Sequence, residues 1–319
     1  MKMNIAVAAN RTFEKYLYVM LTSLLENSKD QEICVYLLSA DFGQEQADRV
    51  HKLLKQYQQE FCFIPIGQEI FPKELPATEK ITVETYFRLA LPDVLPKELD
   101  RVLYLDVDLI INQPIDELYF TDFEGKAFCA CRDTTAATAE SLQSSPVFEQ
   151  LRQKEDFVYF NAGVLLMNLD KLRPLVSLRY LIEQALKIKD YLDFYDQDVL
   201  NWLFSDDVKI VDVERYNLFA RTAFNAGYDY QTVKEQTAII HYGGVKPWRH
   251  EEVRYELERF WWEYAKMTPY YTELLEDIVL TEINTGYMDQ LFRSLKKEND
   301  ELRQIVDRCM QLLKSQGLM

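Results

Sequence analysis

The stretch RVLYLDVDLIINQP, residues 101–114, decides the fold. Val102, Leu103, Tyr104 and Leu105 read as a strand buried on both faces, and Leu109, Ile110 and Ile111 continue the apolar run. Strands of that composition belong to sheets covered by helices on both sides. Two aspartates, Asp106 and Asp108, interrupt the run. A carboxylate in apolar surroundings costs several kcal/mol unless it is paired or bound to a cation. Residues i and i+2 of a strand point to one face. If the strand persists, the two carboxylates converge; if it ends there, they crown its carboxyl edge. Their mutual repulsion favours a cation between or near them. A helix cap plus a turn aspartate is the plainer alternative, but no Gly or Pro flanks the pair to mark a turn.

Upstream the chain alternates between strand and helix patterns. Residues 4–9 (NIAVAA) form an apolar strand, followed by a helical pattern through Leu17, Met20, Leu21, Leu24 and Leu25. A second strand at 33–38, an amphipathic helix at 47–57 and a third strand at 61–66 complete the rhythm. Such a β-α-β-α-β order implies a parallel sheet that binds ligands at the carboxyl ends of its strands. Residues 82–91 read as a helix stopped by Pro92.

Downstream the spacing is less regular. A short strand is expected at 127–132, a polar loop or lid at 134–156, a strand at 158–169 and a helix at 177–189. DQDVLNWLF, 196–204, reads as a helix with Asp196 as its N-cap, and 238–242 is a last strand leading into GGVKPW. From Met288 apolar residues fall at 288, 291, 295, 302, 305, 309 and 312, interrupted by Glu298. That seam spans about four heptads. It suits a coiled coil that makes a homodimer or recruits a partner enzyme, or an amphipathic helix packed on its own domain. The expected organisation is a catalytic domain at 1–265 and a helical extension at 266–319.

Composition narrows the classes. The 319 residues carry a formal net charge of −16, which argues against nucleic acid and offers no basic patch for anionic lipid. Five cysteines (34, 62, 129, 131 and 309) are read as reduced, since Cys129 and Cys131 lack a second pair to complete a zinc site. The N-terminal apolar run is too short for a signal peptide, and no run is long enough to span a bilayer. A cytoplasmic protein is expected, with any membrane association supplied by a partner.

The chemistry gathers around one more residue. His241 leaves the apolar strand 238–242 just before Gly243, Gly244 and Lys246. The glycines permit close backbone approach and the lysine supplies charge, a combination suited to a phosphate. Two aspartates and a histidine make a mixed oxygen and nitrogen set, which favours manganese or magnesium over calcium.

Six stretches in order, IAVAAN (5–10), TYFRLALPDVLP (85–96), RVLYLDVDLII (101–111), YFNAGVLLMNL (159–169), DQDVLN (196–201) and HYGGVKPW (241–248), carry a resemblance. From about residue 3 to about 260 the sequence resembles glycosyltransferase family 8, retaining sugar-nucleotide transferases that include bacterial lipopolysaccharide galactosyl- and glucosyltransferases and glycogenin. The resemblance implies an α/β GT-A fold, a Rossmann-like mixed sheet flanked by helices, here with a C-terminal helical tail. It implies Asp106, Asp108 and His241 as ligands of Mn2+ or Mg2+, bridging the diphosphate of UDP-glucose or UDP-galactose. Lys246 and Gly244 then serve the diphosphate, while Ala8, Asn10 and Val107 are further donor-binding positions. Arg88, Asn161 and Asp196 serve the donor sugar, and Gln197 faces its anomeric carbon. An arginine in such a helix equally makes surface ion pairs, and a buried asparagine equally satisfies backbone.

An amide is a poor nucleophile, so Gln197 suits same-face attack better than double displacement. Asp196 and Asp198 are the rival nucleophiles. Two departures from the family pattern stand out. Asn10 replaces an aspartate that reads uracil, and the loop from His241 to Lys246 is shorter. An asparagine can still accept the uracil N–H through its amide oxygen. The implied activity is hexose transfer from a UDP-sugar to a glycan or glycoconjugate. The alternatives are a catalytically silent subunit that assembles through its tail, and a nucleotidyltransferase or phosphohydrolase, for which YFNAG and DQD have no use.

Overall fold

The computed structural model describes residues 2–76, 83–135, 145–249 and 254–315. Strands β1 (Met3–Ala8), β2 (Ile33–Ser39) and β3 (Glu60–Pro65) alternate with helices α1 (Glu14–Glu26) and α2 (Gln44–Gln56). Every residue of β1 and β2 is buried, as their largely apolar runs require. β3 is the partly exposed edge, where Pro65 is tolerated because no further strand needs its N–H.

β4 (Arg101–Leu105) returns to the other side of β1, parallel to it. The point where the strand order reverses, between β1 and β4, opens a crevice at their carboxyl ends. β5 (Leu109–Ile111), β6 (Phe128–Arg132), β7 (Phe160–Asn168) and β8 (Val208–Val211) follow. The large sheet has the order β3-β2-β1-β4-β7-β6-β8, with β7 antiparallel to both β4 and β6. β9 (Leu218–Phe219) and β10 (Ile239–His241) complete a second, three-stranded sheet of order β5-β10-β9. Helix α3 (Leu178–Lys187) and helix α4 (Asp196–Phe204) pack their apolar residues into the core of the large sheet.

The structure decides one alternative and corrects several expectations. The strand that begins at Arg101 ends at Leu105, and the chain leaves one sheet for the other at Asp106–Val107–Asp108. The Asp106 N–H donates to Gly163 O at 2.9 Å, while the Tyr242 N–H donates to Asp108 O at 3.0 Å. Val83–Ala90 is a 3-10 helix, and the expected start at Thr82 lies outside the described residues. Pro92 does not stop it but sits in the first turn of the next helix, Leu91–Val94, where its missing N–H has no role. Asp196 is the first residue of α4, not its cap; Tyr195 takes that place with φ +54°. Within 134–156, residues 136–144 lie outside the described ones, and Pro146–Phe148 and Glu149–Arg152 are helical rather than loop.

The chain divides into two compact units, one of 1–244 with 255–268, the other of 245–254 with 269–319. In the second, α5 (Tyr271–Thr285) and α6 (Tyr287–Ser315) are separated by Gly286, whose φ of +56° is the left-handed value that ends a helix. Leu302, Ile305 and Val306 on α6 are exposed. No helix among the described residues is long and apolar enough to cross a membrane.

Candidate active site

The break between β4 and β5 places Asp106 and Asp108 at the carboxyl edge of β4, and β10 brings His241 opposite Leu109. One ligand atom from each of Asp106, Asp108 and His241 lies within 4.8 Å of the others. His241 is buried and its Nε2 is 3.3 Å from Asp108 Oδ1. Phe219, on β9, stacks on the imidazole with ring centroids 4.7 Å apart. The site accommodates a hard divalent cation on two counts. The donor set is two carboxylates and an imidazole, and a space is kept open beside them by Gly163. A Cβ on Gly163 would lie 2.6 Å from Asp106 Oδ2 and 2.8 Å from His241 Cε1.

Arg88 links this cluster to α4. It is 5% exposed, its Nη2 is 3.2 Å from Asp106 Oδ1, and its Nε is 2.8 Å from Asp196 Oδ2. Nη1 donates to the Ala162 carbonyl, and the guanidinium lies 4.5 Å from the Tyr104 ring. The surface ion pair considered for Arg88 is thus replaced by a buried bridge. Burial opposes its charge, but the Asp106 and Asp196 carboxylates outweigh burial and keep it cationic. Burial also pushes the Asp196 carboxyl up to about 6, against the pull of Arg88 and of the Thr85 hydroxyl, which donates to Oδ1 at 2.5 Å. The Arg88 Nε–H is aimed at the Thr85 carbonyl, 3.1 Å away. Asp196 Oδ2 therefore has a charge contact but no hydrogen bond.

A chain of amides runs from the histidine to Gln197. His241 Nδ1 meets Asn217 Oδ1 at 2.8 Å, and Asn217 Nδ2 donates to Asn161 Oδ1 at 2.8 Å. Asn161 Nδ2 donates to Asp133 Oδ2 at 2.9 Å and to Gln197 Oε1 at 3.0 Å. Gln197 Oε1 also accepts the Ala162 N–H, and its Nε2 donates to Asp133 Oδ2. Asn201 fixes the same strand by exchanging hydrogen bonds with the Phe160 N–H and carbonyl. Asp198 is committed elsewhere. It accepts from the Tyr159 hydroxyl at 2.6 Å and from the N–H groups of Asp193 and Phe194, so its oxygens face structure rather than the site.

The remaining residues are placed as follows. Ala8 ends β1, and Val107 is the middle of the break between the sheets. Asn10 caps a 3-10 turn, its Oδ1 accepting from Thr12 N–H at 3.1 Å and Thr12 Oγ1 at 2.7 Å. The amide oxygen expected to accept from uracil is thus already occupied, and Nδ2 is the group left to a ligand. Gly244, with φ +80°, ends the stretch that belongs to the first unit. Lys246 lies in the second unit, where its carbonyl accepts from the Arg249 N–H at 3.1 Å.

The family model described as "Glycosyl transferase family 8" matches residues 4–252. The chain belongs to glycosyltransferase family 8. Among its relatives are a lipopolysaccharide 1,2-glucosyltransferase of Escherichia coli, 28% identical over 79% of this chain and 74% of that one, and a lipopolysaccharide 1,3-galactosyltransferase of Salmonella typhimurium, 27% identical over 84% and 79%. Among solved structures, the galactosyltransferase LgtC in complex with donor and acceptor sugar analogues matches with TM-score 0.69 and 27% identity, over 84% of this chain and 96% of LgtC. An active-site mutant of LgtC with a glutamine replaced by glutamate matches equally well, TM-score 0.69 at 28% identity over 83% and 96%. The protein is a family-8 glycosyltransferase of GT-A fold, with a mixed sheet flanked by helices.

Sequence reasoning missed four members of the site. Asp133, directly after β6, carried the signal of a charge at a strand's carboxyl end. Thr85 lay inside a quoted stretch but offered no reason to be singled out. Asn217 and Tyr159, whose hydroxyl accepts from Gln197 Nε2 at 3.3 Å, stand beside apolar residues, and only the fold brings them to the site.

Proposed function

We propose that this family-8 enzyme is a retaining, metal-dependent hexosyltransferase that moves glucose or galactose from a UDP-sugar to a glycan or glycoconjugate. The observation that carries the reading is the joining of three groups at one crevice. The Asp106–Asp108–His241 cluster is tied to Asp196 through Arg88 and to Gln197 through amides. Asp106, Asp108 and His241 would hold Mn2+ or Mg2+, which when bound supplies positive charge to the donor's diphosphate. Arg88, Asn161 and Asp196 orient the donor sugar, and the buried Oδ2 of Asp196 keeps an acceptor without a hydrogen bond beside Arg88. Gly244, Ala8, Asn10 and Val107 complete the donor-binding residues.

Gln197 is held by its amide on both sides, so it positions rather than attacks. The active-site glutamine of LgtC supports a place for Gln197 in the site, and the donor and acceptor sugar analogues bound to LgtC support sugar substrates here. We place the enzyme in the cytoplasm, acting on a saccharide of the lipopolysaccharide kind.

Calorimetric titration of UDP with Mn2+, then with EDTA, then on Asp108→Ala, tests this reading. Binding that disappears with chelation and with the substitution supports it, and UDP-sugar turnover completes it. Metal-dependent binding without turnover would favour a silent subunit, and no binding of UDP at all would overturn the donor assignment.

A further inference from the structure

We propose that Asn217 is a positioning residue: it locks His241 in the Nδ1–H tautomer and ties the imidazole to the amides that hold Gln197. The inference rests on the metal reading of Asp106, Asp108 and His241. Asn217 is fully buried, immediately before β9, and its side chain links the histidine to Asn161 of β7.

The polarity of the chain follows from groups that have no choice. The Gly163 N–H can only donate, and it faces the Asn161 side chain at 2.9 Å, so the atom there is oxygen. The other end of the same amide faces the Asp133 carboxylate and must be the NH2 group. Asn217 also meets Asn161 at that oxygen, so it presents its own NH2 there. Its remaining atom, Oδ1, accepts from His241 Nδ1 at 2.8 Å. Nδ1 therefore carries a proton, and Nε2 is the nitrogen turned toward Asp108 and Asp106. A metal-ligating histidine needs such a partner on its second nitrogen to fix tautomer and ring orientation. Phe219 stacks on the ring and Gly163 leaves room beside it, but neither controls the proton.

The same two hydrogen bonds give the asparagine a second task. Its NH2 holds Asn161 Oδ1, and the Asn161 amide in turn holds Gln197 Oε1. Metal ligation and the setting of Gln197 are thus joined through one side chain. Substitution by aspartate or by leucine separates the tasks. The carboxylate of Asn217→Asp would still accept from Nδ1, as carboxylates do behind many metal-bound histidines. Its other oxygen would face Asn161 Oδ1, acceptor against acceptor, and release that amide. Leucine loses both contacts.

The test uses the full chain as wild type, Asn217→Asp and Asn217→Leu. Long-range 1H–15N correlation of the metal-free protein reads the His241 tautomer, assigned by comparison with His241→Gln. Electron paramagnetic resonance of free Mn2+ reads affinity. Wild type is expected to carry the proton on Nδ1. Asn217→Leu should lose Mn2+ affinity by roughly 10- to 100-fold. Asn217→Asp should hold affinity near wild type while the kcat of UDP-sugar hydrolysis falls. A bare Nδ1 in wild type, or equal loss of affinity in both variants, would overturn the proposal. Should Asn217→Leu fail to fold, the wild-type spectrum and Asn217→Asp still decide. Wild type without Mn2+ affinity sinks the metal reading alone, and the metal-free tautomer then decides the role of Asn217.

Discussion

Arg88 Nε lies 2.8 Å from Asp196 Oδ2, and the same guanidinium reaches Asp106 Oδ1 at 3.2 Å. One buried cation thus serves two carboxylates from different parts of the chain. Removing it strands both. Arg88→Met should lower unfolding free energy by about 3–5 kcal/mol, the usual cost of breaking a buried pair from one side. Arg88→Lys keeps the charge but not the fork that also holds the Ala162 carbonyl. It should retain more stability than Arg88→Met in urea denaturation while losing UDP-sugar turnover. Equal stability of both variants would mean that the fork, not the charge, matters to the fold.

Gly163 offers a sharper test of the cluster, because a methyl there meets the ligands themselves. Its Cβ would lie 2.6 Å from Asp106 Oδ2 and 3.0 Å from Asn161 Oδ1. Overpacking of this kind costs about 1–3 kcal/mol when neighbours must shift. Gly163→Ala should fold with a modestly lower melting temperature and lose Mn2+-dependent UDP binding in calorimetry. Unchanged binding would show that Asp106 can move without leaving the site.

The Asp198 carboxyl gives a signed pH dependence. Burial lifts it from 3.8 to about 6, although the Tyr159 hydroxyl and two backbone N–H groups pull the other way. A pKa raised on folding adds stability that is complete below about pH 4. That contribution is lost as pH rises through about 6. The amide of an Asp198→Asn variant does not titrate. The melting temperature of wild type minus that of Asp198→Asn should therefore fall between about pH 4 and about pH 7. A difference that grows with pH would mean that the three donors outweigh burial.

What the sequence carried depended on whether a residue's neighbours in the chain are also its neighbours in space. The β1–β3 rhythm, the carboxylate pair and His241 were legible because apolar runs and their interruptions are local. Periodicity could not show that Asp106 and Asp108 mark a crossing between sheets, since the apolar run resumes at Leu109 without a break in composition. Local rules do not decide the role of Pro92, because a proline ends one helix and starts another by the same missing N–H. Local rules make Asp196 a cap, yet its carboxylate turns to Arg88, 108 residues earlier, with the strained φ of +54° at Tyr195 just before it. Asn217 and Asp133 act through partners dozens of residues away, where no spacing rule applies.

The tail carries a prediction of its own. Leu302 and Ile305, 56% and 55% exposed, occupy heptad positions on α6. If that seam pairs with a second copy, Leu302→Lys with Ile305→Lys should convert a dimer to a monomer in sedimentation equilibrium, without changing UDP binding. A wild-type chain that sediments as a monomer at micromolar concentration would remove self-association from consideration.

Asn10 bears on which nucleotide is preferred. Its Oδ1 is taken by the Thr12 N–H and hydroxyl, so the group left to a base is the Nδ2 donor. Uracil presents its own N–H donor at N3, and donor would face donor. Aspartate caps such a turn as well as asparagine does, so Asn10→Asp should keep the local fold while offering a second acceptor. A hydrogen bond to a charged acceptor is worth about 1.5–3 kcal/mol, or roughly 10- to 100-fold in affinity. Asn10→Asp should therefore bind UDP more tightly in calorimetry, with no gain for a nucleoside diphosphate whose base lacks that N–H. Equal gains for both would mean that the carboxylate acts by charge alone. Weaker binding of UDP would mean that Nδ2 already donates to a uracil carbonyl, and that this chain reads the base from its other edge.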